Sequence, residues 1–193
     1  SMLTASRFAD FVGLSPYVTP KLLWQLHTGR VVDQREESSA CRHGVRFEPV
    51  VRGMYEKMYD RTVDPAGFEI HPTIPFIGAT PDGLVGDAGL VEFKAPVHAL
   101  YSDIPRQYMA QMQGQLEVFD RSWCDFVCLC KATNQISVHS VSRNREYWAW
   151  VETRLREFRR CVEEDECPAT LTWPPQAPPP PVVTRLLYRG EVK

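Results

Sequence analysis

Gly78-Ala79-Thr80-Pro81-Asp82-Gly83-Leu84-Val85, followed by Gly89-Leu90-Val91-Glu92-Phe93-Lys94-Ala95-Pro96, is the stretch from which the rest of the chain is read. It predicts a strand, a tight turn carrying Asp82, and a second strand that stops at Pro96, where a backbone donor is missing. Side chains alternate along a strand, so Glu92 and Lys94 share one face and Phe93 takes the other. Asp82, Glu92 and Lys94 then present two carboxylates and an ammonium to one point. Carboxylate oxygens suit a hard divalent cation such as Mg²⁺, which keeps part of its water and takes up phosphate oxygens. A lysine beside it can orient or deprotonate water, or neutralise charge on a phosphoryl transition state. Asp-Gly pairs are common in hairpin turns, and Glu-x-Lys is common on solvated faces. The second strand is otherwise apolar, through Leu90, Val91, Phe93, Ala95 and Pro96. Two charges on one face of such a strand need a reason, because unpaired buried charge is costly. Cutting a phosphodiester bond supplies one.

Three further blocks surround this one. Upstream stand Leu3-Thr4-Ala5-Ser6-Arg7-Phe8 and Gly44 with Glu48-Pro49. Downstream stands Tyr108-Met109-Ala110-Gln111-Met112-Gln113-Gly114-Gln115. Pro-Asp followed by Glu-x-Lys is the signature of the PD-(D/E)XK nuclease superfamily. With all four blocks in this order, roughly residues 3 to 165 resemble its alkaline exonucleases, the lambda exonuclease group also called the YqaJ viral recombinase domain.

The resemblance implies an α/β fold with a PD-(D/E)XK restriction-endonuclease-like core: a mixed central sheet of about four or five strands flanked by helices. It implies Mg²⁺-dependent hydrolysis of linear duplex DNA, processive and 5′ to 3′, with Mn²⁺ able to substitute. The implied partners are double-stranded DNA with 5′-phosphate ends, a single-strand annealing protein, and further copies of the chain in a ring of three. In this reading Asp82 and Glu92 hold the metal, with the Phe93 backbone carbonyl as a third ligand. Glu48 assists the metal or its water, and Lys94 positions or activates the attacking water. Gln111 and Tyr108 steady the lysine and the scissile strand. Gln115 joins Tyr108 in holding DNA, and Ser6 helps bind the 5′-phosphate. Arg7 is placed beside Ser6, since a guanidinium pairs bidentately with phosphate. Family members carry an arginine just upstream of the Thr-Ala-Ser block, and this chain begins too late to display one. Two rivals stand beside this reading. One is an endonuclease of the same superfamily, acting on DNA or RNA. The other is a catalytically silent DNA-binding module, against which the intact Asp82, Glu92 and Lys94 argue.

Periodicity fills in the remainder. Residues 4–12 predict a short helix capped by Thr4, and Thr19-Pro20 opens another. Residues 31–42 are polar and predict a flexible connection over the active site or toward DNA. A helix from His43 to Tyr59 places Glu48 in its first turn, where the macrodipole favours an acid and proline is tolerated. Strands are predicted at 67–71 and 75–79, then a helix capped by Asp103 that runs to Phe119. On that helix Tyr108, Gln111 and Gln115 share one stripe, and Met109, Met112, Leu116 and Phe119 form an apolar one. Gly114 is placed there to let backbone or DNA approach. Residues 123–131 and 135–142 predict a hairpin, and 145–164 a long helix whose outer Arg154, Arg156, Arg159 and Arg160 read as a solvated face before a phosphate-tracking patch or a subunit contact. Lys21, Arg30, Lys131, Arg143 and Arg145 are further candidates for DNA phosphates.

A chain of 193 residues with 44% hydrophobic content can bury a sizeable core. The expected division is a nuclease domain over 1–167 and a proline-rich tail over 168–193, extended and packed on the domain or on a partner. Val182–Tyr188 is apolar enough to add an edge strand or to meet that partner. A net charge of −2 means that any DNA surface comes from local clustering of basic residues. No apolar run is long enough for a membrane span, and Ser1-Met2 reads as a cloning remnant. Six cysteines (Cys41, Cys124, Cys128, Cys130, Cys161, Cys167) show no zinc spacing, and a core of this size needs no disulfides. They read as thiols in a reducing intracellular compartment, cytoplasm or nucleus.

Overall fold

The computed structural model describes residues 2–33 and 39–192. In chain order the strands are β1 (Leu3–Thr4), β2 (Glu69–Ile70), β3 (Ile77–Ala79), β4 (Gly83–Val85), β5 (Gly89–Lys94), β6 (Trp123–Cys130), β7 (Gln135–Ser142) and β8 (Thr184–Glu191). The helices are α1 (Phe8–Val12), α2 (Pro20–His27), α3 (Ser39–Tyr59), α4 (Arg106–Val118) and α5 (Arg145–Glu163), with a 3-10 turn at Ala5–Arg7. Strands β4 to β8 form one mixed sheet in that order, in which β5 and β6 are parallel and the other neighbours antiparallel. A small second sheet has the order β1-β3-β2. The architecture is the mixed α/β one that the sequence predicts, with five strands in its central sheet.

Alternation sorts the central sheet into two dry faces. Val91, Phe93, Val127, Leu129, Ile136 and Val138 meet Val51 and Tyr55 of α3 on one side. Leu90, Cys124, Phe126, Cys128 and Val141 meet Met112 and Leu116 of α4 on the other. The far side of α4 packs on α1 and α5, whose Phe8, Phe11, Trp148, Val151 and Phe158 share a third cluster with α2 and the small sheet. This places α4 between the sheet and the outer helices. Gly114 serves that packing: a Cβ there would stand 2.2 Å from the Phe8 ring. The sequence predicts that backbone or DNA approaches there; what approaches is the Phe8 ring of α1.

Several boundaries differ from expectation for physical reasons. The tight turn is at Gly86–Ala88, with Gly86 at φ 54°, and Asp82 lies one residue before β4. Gly83 is instead a packing glycine, since a Cβ would stand 2.1 Å from Val63 Cγ1. Helix α3 begins at Ser39, so Glu48 lies well inside it and the first-turn macrodipole argument does not apply. Thr4 makes no side-chain cap, and its segment is a 3-10 turn before α1. Asp103 bonds the Ile104 amide at 2.7 Å and does not cap α4, which follows Pro105. Thr19 and Asn144 do cap their helices, at 3.3 Å and 2.9 Å. Residues 34–38 of the expected polar connection lie outside the described residues.

The C-terminal segment belongs to the same body. Leu171 is buried in the α1–α5 cluster, and β8 pairs with β7 to end the sheet. Among the described residues no helix is long and apolar enough to cross a membrane.

One buried polar group pins α3 to the sheet. Asp125, 1% exposed, accepts the Tyr55 hydroxyl at 2.6 Å and faces Arg61 at 3.6 Å. Burial pushes the Asp125 carboxyl above its usual range, which leaves the Tyr55 donor important. Tyr55→Phe is expected to cost about 2 kcal/mol of stability, the order seen when a buried acceptor loses its donor. Urea unfolding would measure it, and a loss below about 0.5 kcal/mol would show that the pin contributes little.

Candidate active site

The antiparallel register of β4 and β5 pairs Gly83 with Val91. Continued by one residue, it sets Asp82 opposite Glu92. The Phe93 amide donates to Asp82 Oδ2 at 2.6 Å, so β5 itself holds the aspartate in place. Glu92 and Lys94 point to the α4 side, as alternation requires. Glu92 is 1% exposed, and each of its oxygens has partners. Oε1 accepts Lys94 Nζ at 2.5 Å and Gln111 Nε2 at 2.8 Å. Oε2 accepts Gln115 Nε2 at 2.8 Å. The Lys94 ammonium also lies 4.9 Å from the Tyr108 ring centroid, in cation–π range.

The polar stripe of α4 therefore faces the site. Tyr108, Gln111 and Gln115 meet Lys94 and Glu92 because residues three and four apart stand on one side of a helix. Gln115 is the correction here. The sequence placed it with the DNA contacts, but it is fully buried with its amide on Glu92 and 3.4 Å from the Thr80 carbonyl. No surface is left on it for DNA. Gln113, equally buried, bonds Ser142 O at 2.9 Å and the Asn144 amide at 2.7 Å, tying α4 to the β7–α5 connection.

With Lys94 paired to Glu92, the second carboxylate of the site favours a proton or a cation. Burial first, and then the neighbouring Glu92 carboxylate, push Asp82 up to about 8. Burial works against the Lys94 charge, but the Glu92 and Asp82 carboxylates overcome it and raise Lys94 above its ordinary value. Two crowded carboxylates with one ammonium fit an added hard cation. Among the described residues no three Asp, Glu, His or Cys side chains gather as a metal cluster. A cation here would rest on Asp82 and Glu92 with carbonyl and water oxygens, the sparse ligation that Mg²⁺ accepts.

The outlying candidates fall into two groups. Glu48, on α3, is half-buried and near enough to Asp82 to disfavour its charge. Its Oε1 lies 3.8 Å from Arg52 Nη2. The sequence reading missed Arg52, although its position one turn after Glu48 was visible. Ser6 is exposed, 3.5 Å from the Thr4 hydroxyl, and Arg7 pairs with Asp10 at 3.1 Å. The turn bearing them leaves β1 beside β3, the strand that leads to Asp82. Three of the other basic candidates have protein partners: Arg30 grips Asp165 at 2.6 and 2.9 Å, Arg143 bonds Glu117 and Asp120, and Arg145 reaches Glu117 at 3.3 Å. On α5, Arg156, Arg159 and Arg160 pair with glutamates and Arg154 stacks on Trp150 at 3.7 Å. Glutamates thus neutralise three of those four arginines.

Comparison with known proteins places the fold and the family. The alkaline exonuclease LHK-Exo of Laribacter hongkongensis is 30% identical and superposes with a TM-score of 0.71, covering 85% of this chain and 89% of that one. Its complex with dAMP gives 0.69 at the same identity and coverage. A phage-related exonuclease of Haemophilus somnus 129PT, 11% identical, shares the fold at a TM-score of 0.70, covering 85% of this chain and 94% of that one. No curated protein sequence matches the chain. The family model of the YqaJ-like viral recombinase domain matches residues 1–122, from the Ser6 turn through the β5 carboxylate and the glutamine helix, and the chain is a member of that family.

Proposed function

We propose that this protein is a metal-dependent exonuclease that hydrolyses linear duplex DNA from 5′ ends, with Mg²⁺ as its ion and Mn²⁺ as a substitute. One observation carries the proposal: Lys94 is held between Glu92 and the Tyr108 ring, beside an Asp82 whose charge needs a cation. Asp82 and Glu92 would hold the ion, with the Phe93 carbonyl and Glu48 as further oxygen donors. When bound, it would polarise the phosphate and lower the pKa of water. Lys94 donates toward the attacking water or the phosphoryl oxygens. Tyr108 and Gln111 keep the lysine and Glu92 in register, and Ser6 and Arg7 receive the 5′-phosphate. The dAMP complex of LHK-Exo supports a mononucleotide product. Processivity, a ring of three copies, an annealing-protein partner and a reducing intracellular setting belong to the same proposal.

Gln115→Leu separates the buried role from the DNA-contact role. Loss of one donor to a metal-holding carboxylate is expected to lower kcat roughly tenfold. KM for DNA should stay constant; a raised KM at constant kcat would return Gln115 to the DNA. Function itself is tested with duplexes labelled at one 5′ or one 3′ end, beside a closed circle. Early release of the 5′ label with the circle intact is the expected result. Cutting of the circle would favour the endonuclease reading. Absence of cleavage in Mg²⁺ and Mn²⁺ would leave a binding module.

A further inference from the structure

Arg52 lies on α3 one turn after Glu48, and its contacts converge on the site from the face opposite α4. Its Nη2 donates to the Asp82 backbone carbonyl at 2.5 Å, and its Nη1 to the Val63 carbonyl at 3.2 Å. The guanidinium carbon stands 5.6 Å from the centroid of the Phe93 ring, within cation–π range. The same Nη2 is 3.8 Å from Glu48 Oε1. Phe93 is in turn the residue whose amide holds Asp82 Oδ2. One side chain thus touches the backbone of Asp82, the ring of its partner residue, and the carboxylate of Glu48.

The geometry points to Arg52 as a positioning residue that locks the Asp82 segment and Glu48 into one frame. This inference rests on the site reading above. The physical basis is the rigid fork of the guanidinium. Two nitrogens bond two carbonyls from different segments while the guanidinium carbon stays within cation–π range of an aromatic ring, and a lysine ammonium is a point charge that cannot reproduce this. Asp82 lies in the connection between β3 and β4, outside regular hydrogen bonding on its own side. Without Arg52 its carbonyl loses its donor, and its carboxylate depends on the Phe93 amide alone. A misplacement of this kind near a metal site carries losses of roughly 10- to 100-fold.

The test uses the full chain with Arg52→Lys and Arg52→Gln, and Arg46→Ala on the exposed side of α3 as control. Three readouts are taken: Mn²⁺ binding by calorimetry without DNA, kcat and KM on linear duplex DNA, and thermal melting. Both Arg52 variants are expected to fold, to need at least about fivefold more Mn²⁺ for half-saturation and to lose about tenfold or more in kcat. Their KM for DNA is expected to stay within about twofold of wild type, and the control to match wild type throughout. An Arg52→Lys variant with wild-type metal affinity and kcat would overturn the inference, since charge alone would then suffice. A raised KM with unchanged Mn²⁺ affinity would overturn it in favour of a DNA contact. Unfolding of both variants would overturn it in favour of a purely structural role. Failure of wild type itself to bind Mn²⁺ or cut DNA would remove the site reading beneath it, and the inference would fall with that reading.

Discussion

Lys94→Met is expected to lower kcat for DNA hydrolysis roughly 10³-fold while leaving the metal site able to load. Methionine keeps most of the side-chain volume over the Tyr108 ring and removes the ammonium. The lost interaction is the one aimed at the reacting phosphate, so the effect belongs in kcat more than in KM. The same ammonium is the internal counter-ion of Glu92 and Asp82. Its removal leaves two carboxylates with more need of a cation, so Mn²⁺ affinity should hold steady or tighten. Metal-free stability should fall, because breaking one side of a buried ion pair leaves charge uncompensated. Calorimetry and single-turnover kinetics on the same preparation would read both effects. A rate within tenfold of wild type, or a clear loss of metal affinity, would contradict this assignment.

Asp82→Asn is expected to give the opposite pattern. The amide oxygen can still accept from the Phe93 amide, so the local geometry survives. Loss of the carboxylate removes a metal donor, and activity should fall at least as far as in Lys94→Met. In wild type, metal at about a hundred times its dissociation constant adds about 2.7 kcal/mol of stability. That corresponds to a melting shift of roughly 5–10 °C for a chain of this length. Asp82→Asn should show little of this shift. Without metal the variant should be the more stable one near pH 8. The sign follows from linkage: the folded state raises the Asp82 pKa from 3.8 to about 8, so it binds more protons than the unfolded chain between those values. Wild-type stability therefore declines across that range on this group's account, and the decline is absent in the variant. Melting curves of both proteins at pH 5 and pH 8, with EDTA and with Mn²⁺, would read all of this.

The site was legible where strand alternation and helical stripes carry the information. Glu92 and Lys94 fall on one face of β5 because the strand period is two, and Tyr108, Gln111 and Gln115 face them because α4 has the helical period. Periodicity gives a stripe but not its neighbour, so Gln115 was assigned to DNA when its partner is Glu92. Arg52 was missed for a related reason. Its acceptors are backbone carbonyls of Asp82 and Val63, and a carbonyl leaves no mark in the sequence. Helix α3 starts earlier than the sequence predicts because Gly44 and the polar residues before it give no amphipathic signal, so Glu48 lies inside the helix and not in its first turn. Gly83 reads as a turn and Gly114 as room for backbone or DNA, but each makes room for one side chain distant in sequence, Val63 and Phe8. The sheet order was legible only in part: the 123–142 hairpin is local, whereas the two-residue strand β1 depends on β3 for its existence.

Metal-dependent cleavage at Asp82, Glu92 and Lys94 is the central claim for this protein. Its most direct test is release of acid-soluble nucleotides from linear 5′-phosphorylated duplex DNA, in Mg²⁺ and again after EDTA, by wild type and by Asp82→Asn. Steady release by wild type in Mg²⁺, arrest on chelation, and release by the variant near background throughout are the expected results. Release that persists in EDTA, release by the variant at the wild-type rate, or none by wild type in Mg²⁺ or Mn²⁺ would contradict that claim.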